Sequence, residues 1–198
     1  SLGPCADVWA NYYRDVAVLA FPTPKSDKRI PDYEEKALFF RPPYSSTPGV
    51  KPYLIPITDM EKAKSFDDAI IPLDSILDIT DKMDADGRLV WDAPEGNWTI
   101  LRLGRRLTGQ TTRPAPSAGL GLECDKFETS GIEQHFAAFD DKLLEIGKFT
   151  TLHHDSWEMS SQNWSENFRQ LFIESRGYDP LPWTPTFCGR VVESVEKT

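Results

Sequence analysis

The sequence predicts a mixed α and β chain, with a β-rich N-terminal half followed by βα units, and three observations carry that prediction. An apolar run, "RDVAVLAFP" (14–22), and a longer segment punctuated by turn residues (70–106) have the character of strands. "SGIEQHFAAFDDKLLEIG" (130–147) repeats its apolar residues at helical spacing. "FTTLHHDS" (149–156) and "SENFRQLFIESRGYDP" (165–180) then alternate strand with helix, the order from which α/β folds are built.

The run 14–22 is valine-rich and bounded by polar and proline residues, as a buried strand is. Prolines at 24, 31, 42, 43, 48, 52 and 56 follow. Each lacks an amide hydrogen and restricts its predecessor, so 23–56 is expected to be a meandering loop with short edge strands and no regular helix. In 70–106, Asp86-Gly87 is expected to turn a hairpin into "RLVWDAP" (88–94), and Glu95-Gly96-Asn97 to turn it into "WTILRLG" (98–104).

In the first helix Ile132, Phe136, Phe139, Leu143 and Ile146 form one stripe, with Ser130 as N-cap and Gly147 as the stop. In the second, Phe168, Leu171 and Phe172 face inward, Gly177 ends the helix and Pro180 lies beyond. "FCGRVVESVEKT" (187–198) offers one more strand.

With 198 residues the chain can bury a core, and 39% hydrophobic with 27% charged residues is ordinary for a soluble protein. No apolar run approaches the eighteen or so residues that span a bilayer. A net charge of −9 argues against nucleic acid and anionic membranes as partners. Cys5, Cys124 and Cys188 are odd in number and far apart, which leaves no disulfide framework and no CxxC metal pair. The opening "SLGPCADVWA" does not have the form of a signal peptide, so the compartment cannot be read from it.

Two clusters carry chemistry. "TLHHDSWEMSSQNW" (151–164) falls at the C-terminal end of a predicted strand, the edge where α/β folds build their sites. Asp155 and Glu158 suit glycosidic bond cleavage, in which one carboxylate protonates the departing oxygen while another activates water or attacks the sugar. The alternative is that Asp155 or Ser156 caps a helical turn and Glu158 closes a capping box. His153 and His154 point to opposite faces of a strand, so only one can line a site, and their spacing is not that of a zinc motif. Trp157, Trp164 and Trp183 can serve as sugar platforms or as packing.

The second cluster is "GLGLECDKFETSG" (119–131). Glu123 and Asp125 share one face if the strand runs through them; they then repel, bind a hard cation such as calcium, or are neutralised by Lys126. The glycines do not make a phosphate loop, since the Gly-Lys-Ser/Thr ending is missing.

The blocks 94–136 and 153–194, above all "GLECDK", "DSWE" and "RGYDPLPWTP", resemble the α-L-rhamnosidases of glycoside hydrolase family one hundred and six. The likeness runs from about Arg14 to the C-terminus. It implies an inverting, calcium-dependent bacterial hydrolase of terminal α-L-rhamnose in plant pectic polysaccharides, outside the cytoplasm (periplasmic or secreted), with its site in a (β/α)8 barrel accompanied by β-domains. Glu123 and Glu158 match acidic positions, as catalytic groups or as calcium ligands, and Asp125, His154, Asp155 and Trp157 lie beside them as sugar-binding candidates.

A complete barrel takes ~250 residues. The resemblance therefore implies a first barrel-like strand region at 1–24, a β-rich inserted or accessory region at 25–108, and βα units of an incomplete catalytic barrel at 109–198. Carbohydrate is the expected ligand, and the remainder of the enzyme, or a second copy of the chain, the expected partner. A non-catalytic carbohydrate-binding or structural fragment is the alternative to an enzyme.

Overall fold

The computed structural model describes residues 11–37, 63–111, 115–144, 151 and 162–198, with the backbone alone at 35 and over 138–144. The chain is mixed α and β, as expected, and divides into two compact units. One comprises Arg14–Gly104 with Phe172–Thr198, the other Ser1–Tyr13 with Arg105–Leu171.

The first unit is built on β1 (Arg14–Pro22), the strand predicted from the apolar run. It is the middle strand of a three-stranded sheet, between β3 (Leu77–Asp78) and β4 (Trp98–Arg105). A central strand covered on both faces needs a continuous apolar sequence, which is why "VAVLAF" does not alternate. Ala17 and Leu19 pack with Leu181, Ile76, Leu101 and Leu103, while Val18 and Ala20 pack with Ile79, Met83, Leu89, Trp91 and Trp98. The antiparallel register sets Leu19 opposite Asp78 and Ala20 opposite Leu77. Past the end of β3, the Thr80 hydroxyl accepts the Val18 N–H at 3.0 Å, and Ile79 N–H donates to Val18 O at 2.9 Å.

The second sheet pairs β2 (Ile70–Ile71) with β5 (Val191–Val192) in parallel, Ile70 opposite Val191. Val191 closes a small core with Ile30, Phe66 and Ala69. The expected C-terminal strand is thus present, reached through Gly189 at φ +75°, where a Cβ would meet the Tyr33 ring at 2.7 Å. Both the backbone conformation and the space require glycine there.

Several expectations are corrected. "RLVWDAP" forms no strand: Met83 and Leu89 make one isolated bridge, and Asp84 Oδ1 accepts the N–H groups of Asp86 and Arg88 in the predicted turn. Pro94 offers no donor to a ladder, and Trp91 instead packs edge-on against Trp98 with centroids 5.2 Å apart. Among its described residues the proline-rich stretch holds a helical turn, α1 (Tyr33–Lys36), because no proline lies between Pro31 and Pro42 to strip it of donors.

In the second unit, α2 spans Thr129–Leu144, one residue earlier than the proposed Ser130 cap. The preceding turn starts it: Asp125 Oδ1 accepts the Phe127 N–H at 2.9 Å, and Glu128 O accepts the Gly131 N–H at 3.1 Å. Of the predicted stripe, Ile132 and Phe136 are half-buried, and the side chains further along fall outside the described residues with Gly147. The unit boundary falls within α3 (Phe168–Arg176), which ends at Gly177, φ +78°, as expected. Phe168 and Phe172 are half-buried, but Leu171 is 49% exposed, so the inward face runs through Phe172 and Ile173 instead. No described helix is long and apolar enough to cross a membrane.

Candidate active site

Just before Glu123 and Asp125 the chain makes an isolated bridge between Thr111 and Leu122, and the described residues 123–126 form no strand. Glu123 N–H then donates to Gln110 O at 3.0 Å, and the chain turns away towards α2. Both carboxylates nonetheless line one cavity of about 150 Å³ within this unit, together with Tyr12, Arg106, Gln110 and Trp164. Carboxylates, a guanidinium, an amide and two aromatic rings are the groups that hold a sugar, through hydrogen bonds to hydroxyls and contact with its C–H faces.

Of the three fates open to the acidic pair, Glu123 is neutralised by Lys126. The ammonium and carboxylate are in direct contact, and each side chain is 15% exposed. Asp125 is occupied locally by the Phe127 amide. A hard cation such as calcium takes about six to eight oxygens. Two carboxylates, one already ion-paired, do not make that set, and among the described residues no group of three His, Cys, Asp or Glu side chains is placed to hold a metal.

His154, Asp155, Trp157 and Glu158 lie outside the described residues. The residues just after them are described, and Gln162, Asn163 and Trp164 all line the cavity that Glu123 lines. Trp164, one of the three tryptophans set out as platforms or packing, lines the cavity and packs against Phe168 with centroids 4.9 Å apart. Gln162, Arg106, Gln110 and Tyr12 were not anticipated. The polar segment "GRRLTGQTTR" was the available signal for two of them, since it interrupts a β-rich region with groups that packing does not need.

A third carboxylate, Glu128, is held in this unit by hydrogen bonds. Glu128 accepts hydrogen bonds from the Asn167 backbone N–H at 2.7 Å and from its side-chain amide at 2.8 Å. These bonds, the backbone one foremost, hold its pKa below the ordinary glutamate value against the opposing effect of burial; Arg105 assists, itself ion-paired with Glu166. The Ser165 side chain, 1% exposed as a residue, also lowers the Glu128 pKa. Because the folded state lowers this pKa, its stabilisation is full above the unfolded value of 4.5 and is lost as pH falls through the folded value. Acid melting curves should therefore show the wild-type chain losing stability below about pH 4.5 more steeply than Glu128→Gln, and parallel curves would refute the anchor.

The model of the alpha-L-rhamnosidase family of glycoside hydrolases matches residues 5–198. A Formosa agariphila protein described as "Putative beta-glucuronidase" is 34% identical over 201 residues, covering 98% of this chain and 16% of its own length. The solved structure of a rhamnosidase from Novosphingobium sp. PP1Y matches with a TM-score of 0.56 and 37% identity, over 64% of this chain and 13% of that one. The chain thus spans about a sixth of the curated relative and about an eighth of the solved structure. With a family match that runs over nearly its whole length, the chain belongs to the alpha-L-rhamnosidase family of glycoside hydrolases.

Proposed function

We propose that this chain is part of an enzyme that removes terminal α-L-rhamnose from plant-type polysaccharides by direct displacement. The family match over residues 5–198 carries the reading, and the cavity beside Glu123 and Trp164 supports it, since its volume suits one sugar residue rather than a length of chain. One carboxyl group protonates the glycosidic oxygen, which leaves as an alcohol. A carboxylate on the opposite side of the sugar takes a proton from water, whose oxygen forms the new bond at the anomeric carbon with inversion. Glu123 and Glu158 are the proposed pair, and such pairs stand ~6.5–9.5 Å apart to admit the water.

Asp125, His154, Asp155 and Trp157 complete the proposed sugar contacts. By the family resemblance, the proposed enzyme uses calcium, which would hold the sugar's vicinal hydroxyls. Its ligands beyond Glu123 would come from residues such as Glu158. The proposed setting is the partial (β/α)8 barrel of 109–198, outside the cytoplasm, completed by the rest of a longer enzyme.

The test compares aryl α-L-rhamnoside with aryl β-glucuronide in the full-length protein, because one relative is named for the second substrate. Rhamnose release, with the β-anomer appearing first by NMR, is the expected result. Cleavage of the glucuronide alone would overturn the reading. Carbohydrate binding without turnover of either would favour the non-catalytic alternative.

A further inference from the structure

From its hydrogen bonds we infer that Gln162 is a positioning residue for the catalytic segment, tying the stretch that follows Glu158 to the one that carries Glu123. This inference rests on the rhamnosidase reading of the cavity. A primary amide offers one acceptor oxygen and a donor nitrogen side by side. Gln162 uses both on one stretch of backbone: its oxygen accepts the Lys126 N–H at 3.1 Å, and its nitrogen donates to Cys124 O at 2.9 Å. These two backbone groups flank Asp125, so one side chain holds the backbone on both sides of it.

The consequence falls on the cavity wall. Glu123 is fixed on one side by Gln110 O and through its side chain by Lys126, and Lys126 is fixed through its own backbone by Gln162. Removing the amide leaves the Lys126 N–H and Cys124 carbonyl without this partner and frees the segment on which the Glu123–Lys126 pair is built. Gln162 also lines the cavity and lies four residues beyond Glu158 in the sequence. A shift of about 1 Å in a reacting group can cost on the order of 10²-fold in rate while leaving binding little changed.

The experiment uses the full-length protein with Gln162→Met, which keeps the length of the side chain and loses both hydrogen bonds, and Gln162→Glu, which keeps the acceptor alone. Steady-state kinetics on the aryl α-L-rhamnoside, thermal melting, and hydrogen exchange of the peptide covering 122–128 are measured together. Gln162→Met should lower kcat about 10- to 100-fold, with KM within roughly threefold of wild type, the melting temperature nearly unchanged and exchange over 122–128 faster. Gln162→Glu should fall between Gln162→Met and wild type. Faster exchange with wild-type kcat would overturn the positioning role, and so would activity that falls only in step with melting in both variants. If the wild-type protein releases no rhamnose, the functional reading fails instead, and the exchange data still report whether the amide holds the segment.

Discussion

Replacing Glu123 with glutamine in the full-length protein is expected to lower kcat on an aryl α-L-rhamnoside by about 10²- to 10⁴-fold, the range typical of losing a general acid or base. The substitution keeps the side chain's size, so the 150 Å³ cavity and the Leu122–Thr111 bridge persist while the charge facing Lys126 disappears. A catalytic carboxylate acts mainly in the transition state, so KM should move far less than kcat. Lys126→Met provides the comparison. It removes the same ion pair but leaves the carboxyl group, so it should be milder than Glu123→Gln if the carboxylate does chemistry, and equal to it if the pair only holds the loop. Equal, small effects would remove Glu123 from the catalytic machinery and leave it as a structural partner of Lys126.

How far the fold could be read in advance depended on whether local sequence and tertiary contacts pointed the same way. β1 was legible because an apolar run places five consecutive buried residues on both faces of a central strand. The end of α3 was legible because Gly177 takes the left-handed conformation that closes helices. The strand at 88–94 was not, since Leu89 and Trp91 serve packing around Ile79 and Trp98 rather than a ladder. Leu171 was misplaced because an i, i+3, i+4 pattern fits two neighbouring faces, and the one actually covered includes Ile173. In the site, acidic residue types drew attention to Glu123 and Asp125, whereas nothing local marks Gln162, whose two partners lie 36 and 38 residues earlier in the sequence.

Leu19→Ala is the substitution expected to cost the fold most, about 2–5 kcal/mol, through lost burial and the cavity left behind. Leu19 is 1% exposed, on the middle strand of the three-stranded sheet, and joins Ala17 and Leu181 to the half-buried Leu101 and Leu103. Those neighbours come from three separate stretches of sequence, so collapse around an alanine would require β4 and the segment at Leu181 to move together towards β1. A rigid sheet resists that, which places the cost in the upper part of the range. Urea unfolding of the purified chain reads it directly: the midpoint should fall by on the order of 1–2 M at an unchanged slope. Leu77→Ala, on the adjoining strand opposite Ala20 but 37% exposed, should cost less than about 1 kcal/mol because its side chain is already partly in water. Equal shifts for the two variants would mean that the face of β1 carrying Leu19 is not where this unit keeps its core.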